Sequence, residues 1–239
     1  MKQPNNYLDM ILRKLTIEPH ISVKWPVRLM NKKIGMYGSA VNCIAVICFA
    51  LSMLVGFDYG SYFSSMFISL SFVPMMCGYA YFAKKGTKLA GYVSVAFSAI
   101  YTTIILLVYF AQLTTVRLNE LTQLTTVRLN ELTQQAAVLL DFQKCGLLFN
   151  YDLLGYAVMS LATFFAGLTV TSRMKADRWL KYLLMIHGGF FISCMIAPML
   201  GGFRADSPTW IGIAVLEFWR FYFCPISILS YLHFSNCKE

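Results

Sequence analysis

Residues 210–234 read WIGIAVLEFWRFYFCPISILSYLHF, an apolar run broken by only two charges, Glu217 and Arg220. A helix needs roughly 20 mostly apolar residues to cross the hydrocarbon of a bilayer, and this run is long enough. Its apolar residues do not alternate with polar ones as the strands of a membrane barrel would. Helices and closed barrels are the only spanning solutions that satisfy every backbone N–H and C=O internally. The run therefore reads as a transmembrane helix carrying an ionisable pair.

Working outward, five more runs of the same kind precede it, at about 35–57, 62–83, 89–112, 152–172 and 180–201, with the last spanning 209–234. Composition agrees: 58% hydrophobic, 13% charged and a mean hydropathy of +0.60. A soluble domain carries about 25% charged residues, so this chain has too little polar surface to cover a globule. The expected fold is an all-α integral membrane protein, a six-helix bundle.

The net charge of +9 raises the question of nucleic acid, but the distribution of charge answers it. With the amino end inside, seven Lys/Arg lie in 1–35, three in 84–88, four in 173–181 and one at Lys238. The outer segments hold four: Arg117, Arg128, Lys144 and Arg204. This alternation is the positive-inside pattern. It places both termini in the cytoplasm and makes the partner the lipid bilayer, with no role for nucleic acid. The expected location is a cell membrane, that of a bacterial cytoplasm. Residues 1–34 read as a basic amphipathic cytoplasmic segment, 35–234 as the membrane domain and 235–239 as a cytoplasmic tail.

Local signals fill in the bundle. Asp58-Tyr59-Gly60-Ser61 reads as a tight outer turn. Ser61, Ser65 and Ser69, then Ala90, Ser94, Ser98 and Thr102, recur every four residues. Such stripes of small residues let helix backbones approach closely in lipid. Asn42 is placed to hydrogen-bond a neighbouring helix, and Pro74 to kink the second span. Residues 112–122 read QLTTVRLNELT, and 123–133 repeat them identically. Eleven residues make about three helical turns plus 20°, so the repeat nearly preserves a helix face. The third span is accordingly expected to continue outside the bilayer as an amphipathic helix to about Gln134. That arm is either a contact surface for a protein partner or oligomer, or a tolerated duplication.

The seven cysteines form no C-x-x-C, so neither a zinc site nor a redox dithiol is expected. No serine elbow, H-E-x-x-H or Gly-rich nucleotide loop occurs, and the reading is of a non-enzyme without cofactor or metal. The candidate ligand or proton site is Glu217, Arg220 and His187. The first two lie three apart and can pair on one helix side. His187 falls at a matching depth if the last two spans are neighbours. Ionisable groups within a membrane are costly and usually face the interior or a watery cavity. Arg220 would hold an anionic group while Glu217 or His187 exchanges a proton. A structural ion pair fixing helix register is the alternative. The function expected is a small-solute transporter or its membrane substrate-binding subunit, energised by a partner. A sensor, assembly or accessory protein is the competing reading.

Overall fold

The computed structural model describes residues 27–117, 139–140, 142, 146–172, 174–201 and 209–237. Helix α1 spans Val27–Leu54, α2 Asp58–Phe82, α3 Lys88–Ala111, α4 Leu147–Thr169, α5 Lys175–His187, α6 Phe190–Met199 and α7 Thr209–Asn236. A 3-10 turn, Lys85–Thr87, joins α2 to α3, and α3 runs on through a π-helical turn, Gln112–Val116. Among the described residues there is no strand, and five stretches are long and apolar enough to cross a membrane. They are Met30–Leu54, Asp58–Phe82, Lys85–Val116, Leu147–Thr169 and Lys175–Met199. The 28 residues of α7 would extend about 42 Å. The amino-terminal segment 1–26 and the greater part of the repeat lie outside the described residues. The helix expected over the repeat is observed as far as Arg117. At its base Gln112 is buried and donates from Nε2 to the carbonyl of Leu140 at 2.7 Å.

The helices close into a ring. Helix α2 packs between α1 and α3, α4 packs on α3, and both α5 and α6 pack on α4; α7 fills the gap between α5 and α1. The serine stripes form the seams. Ser61, Ser65, Ser69, Ser94 and Ser98 are all buried. Across the seams Thr102 donates to the carbonyl of Ser69 at 2.9 Å, and Ser94 to that of Ala162 at 2.8 Å. At Gly91 a Cβ would stand 2.7 Å from the Cα of Ala80, and at Gly38 it would stand 2.8 Å from the backbone nitrogen of Met75. No side chain fits at either crossing.

Two expectations about local structure change. The outer turn between α1 and α2 lies at residues 55–57, ahead of Asp58, which already opens α2. Gly56 takes φ +68°, and Phe57 N–H reaches back to the Ser52 carbonyl at 2.8 Å. This left-handed glycine stop is available where a side chain would be strained. The fifth span is two helices in place of one unbroken run: it starts at Lys175 and breaks at Gly188-Gly189. There the amides of Gly188 and Gly189 bond three residues back, to Met185 and Ile186 at 3.1 and 2.9 Å. The tightened turn leaves room for Phe164, whose Cβ would lie 2.8 Å from a Cβ at position 188. At Pro74, α2 remains one helix from Asp58 to Phe82.

Asn42 joins three helices. Its Nδ2 donates to the Ile68 carbonyl at 2.9 Å and to Ser71 Oγ at 3.0 Å, while its Oδ1 accepts from Ser227 Oγ of α7 at 2.9 Å. Inter-helix hydrogen bonds in lipid average about 0.6 kcal/mol. Asn42→Leu should therefore cost about 2 kcal/mol, read as a lower midpoint in unfolding by titration with a denaturing detergent.

Candidate functional site

Helix α7 presents the ionisable pair to the groove it makes with α1. Arg220 Nη1 donates to Glu217 Oε1 within the same helix, one turn apart. The guanidinium lies over the Phe49 ring of α1, 4.0 Å from its centroid. A desolvated cation in that position is held by the negative face of the ring. Glu217 keeps 27% of its side chain exposed, whereas Arg220 keeps 2%. The groove beside them holds about 460 Å³ and is otherwise walled by apolar side chains, Val46, Ile47 and Ala50 from α1 and Phe221 from α7.

The pairing uses one edge of the guanidinium only. Nε and Nη2 are buried and have no hydrogen-bond partner among the described residues. These two nitrogens form the side-on fork of arginine, with parallel N–H bonds spaced to meet both oxygens of a carboxylate or phosphate. Leaving such donors buried and unsatisfied is expensive.

Two tyrosines lie within electrostatic reach of the guanidinium. Tyr156 of α4 is within electrostatic reach of both Arg220 and Asp152, and Tyr109 of α3 is likewise close to both. Asp152 Oδ1 and the Tyr101 hydroxyl are buried without partners among the described residues. Tyr101 and Tyr156 rings lie 6.1 Å apart, and Tyr156 meets Trp219 edge-on at 5.1 Å. Among the described residues this region thus holds four buried polar atoms without partners, two on the guanidinium, one on the acid and one on a phenol.

Asp152 is the residue that sequence reading missed. Read from hydropathy, it marks the outer edge of the fourth run. Helix α4 in fact begins at Leu147, so Asp152 sits more than a turn inside it and is 6% exposed. The available signal was the aromatic helix start around it, Phe149-Asn150-Tyr151, which extends the run toward the amino side.

His187 is close to the pair without joining it. Its Nε2 accepts the indole N–H of Trp219 at 3.0 Å, and its Nδ1 lies 2.8 Å from Thr163 Oγ1. Thr163 spends its own hydroxyl proton on the Ser160 carbonyl at 2.8 Å. The proton of His187 is thereby assigned to Nδ1, which donates to Thr163, and the neutral ring is satisfied at both nitrogens. The structure brings Glu217 and Arg220 together and links His187 to them through Trp219, the residue before Arg220. Helices α5 and α7 are neighbours here, with Tyr222 also donating to the Leu183 carbonyl at 2.7 Å. Among the described residues no cluster of His, Cys, Asp and Glu has the arrangement of a metal site.

Comparison with family models, curated proteins and solved structures finds no match to this chain.

Proposed function

We propose that the chain crosses the membrane six times with both termini in the cytoplasm and binds a small anionic solute at Arg220, as a transporter or the solute-binding membrane subunit of one. The observation that carries the reading is the vacant Nε/Nη2 edge of a buried guanidinium. A carboxylate or phosphate supplies the two acceptors that the fold withholds. Glu217 keeps the empty site near neutrality through Nη1, and Phe49 holds the guanidinium plane in place. The tyrosine hydroxyls offer donors and acceptors to the rest of the solute. The break at Gly188-Gly189 beside this region is the kind of interrupted helix tolerated where a membrane protein lines a cavity.

The test is a stability screen of the purified protein against small mono- and dicarboxylates and phosphate esters, followed by uptake into proteoliposomes. At least one anion should raise the melting temperature of the parent. Arg220→Lys keeps the charge but loses the fork, and should weaken that binding by about tenfold or more, the worth of one charge-assisted bond. Equal binding by Arg220→Lys, or no stabilisation by any anion, would sink the reading.

A further inference from the structure

At the opposite end of the bundle the chain assembles a second cluster, independent of the Arg220 site. Asp177 near the start of α5, His233 in the last turns of α7 and Cys237 just beyond α7 stand in line. His233 Nδ1 is 2.8 Å from Asp177 Oδ1, and Cys237 Sγ is 3.7 Å from His233 Nε2. Asp177 and His233 are both buried, at 3% and 9% exposure. Asp177 is anchored in turn, because its Oδ2 accepts the Met174 backbone N–H at 3.1 Å. The ring of Tyr79 stacks against His233 at 5.9 Å, with its hydroxyl 2.6 Å from Ser230 Oγ.

This is the order of a nucleophile, a base and the acid that orients the base. The Asp177 carboxylate holds the imidazole proton on Nδ1, which leaves Nε2 as the acceptor facing the thiol. Thiol, imidazole and Tyr79 line a cavity of about 80 Å³ together with Thr169 and Thr171. Exposed Lys84 stands at its edge. The volume admits a carbonyl group and not a large head group. Beside it Tyr231 and Leu232 turn 38% and 42% of their surface outward from α7.

We propose that Cys237 is an S-acylation site that loads itself from a long-chain acyl thioester with an anionic carrier, using His233 as base and Asp177 to position it. The sulfur of Cys237 bonds to the acyl carbon as the donor's C–S bond breaks. The thiol proton passes to His233 Nε2 and from there to the departing thiolate, so atoms and electrons balance without an oxidant. The cytoplasmic side, to which the basic segments assign this end, keeps thiols reduced. Lys84 and Lys85, both exposed, meet the carrier's phosphates. The acyl chain then lies in the adjacent leaflet and pins the tail that follows α7.

The probe is an alkyne-tagged long-chain acyl thioester of coenzyme A, given to the full chain in lipid nanodiscs at neutral pH. One acyl adduct should appear at Cys237, be released by neutral hydroxylamine and be absent from Cys237→Ser. Its formation should be at least about tenfold faster than on a synthetic peptide of residues 230–239, which has the thiol and histidine without Asp177 or the cavity. It should slow by a similar factor in His233→Gln and less in Asp177→Asn. No adduct, or an adduct formed no faster than on the peptide, overturns the proposal. So does an unchanged rate in a monodisperse His233→Gln protein. The peptide comparison decides the matter even if that variant does not fold.

Discussion

Glu217→Ala should destabilise the bundle by about 3 kcal/mol, while Glu217→Leu combined with Arg220→Leu should leave it as stable as the parent or more so. The single change removes the only acceptor among the described residues from a guanidinium that is 2% exposed and already has two unpaired donors there. Breaking one partner out of a buried pair costs about 3–5 kcal/mol, because the surviving charge is uncompensated. The lower end applies here, since Glu217 keeps 27% of its side chain exposed and is less completely desolvated than Arg220. The double change removes both charges and their desolvation together, and well-packed apolar replacements of buried pairs are often neutral or stabilising. Unfolding midpoints of the three proteins in the same detergent mixture check this. The double variant should also lose all anion binding, which separates a site kept for function from a pair kept for stability. A double variant less stable than Glu217→Ala would mean that the pair holds the helices in register.

His187→Ala should cost about 3 kcal/mol, the second large effect, with no change in the pH dependence of anion binding in whatever fraction remains folded. The substitution strands the Trp219 indole N–H and removes the donor to Thr163, in a position with no exposed surface. It also leaves a cavity the size of an imidazole between α4, α5 and α7. His187→Gln can present one acceptor and one donor along the same line, so it should recover about half of the loss. A shift in the pH profile of binding in His187→Gln would instead show that the ring exchanges a proton during the cycle. The geometry argues against that exchange. A second proton on Nε2 would face the Trp219 N–H, placing two donors against each other.

The length and apolar character of the helices were legible because hydropathy is a one-dimensional property, and five stretches among the described residues are long and apolar enough to cross a membrane. The serine stripes and Asn42 could also be read in advance, since four-residue spacing places side chains on one helix face whatever the partner. The break in the fifth span was less legible. Gly188-Gly189 is visible in the chain, but two glycines inside an apolar run are tolerated in many membrane helices. The demand for close approach comes from Phe164 on another helix.

The site divides in the same way. That Glu217 and Arg220 would pair follows from a separation of three residues on a helix. The sequence by itself thus determined the all-helical class, with helices long and apolar enough to cross a membrane, and a charged pair one turn apart on one helix. Only the tertiary structure decided that Asp152 is buried beside Tyr109, that both nitrogens of His187 are already engaged, and that one edge of Arg220 is left open. It alone aligned Asp177 with His233 across 56 residues. The physical reason is that burial and hydrogen-bond satisfaction belong to pairs of helices. Which donors find acceptors depends on the rotation and depth of each helix against its neighbours, and α7 packs against both α1 and α5 at once.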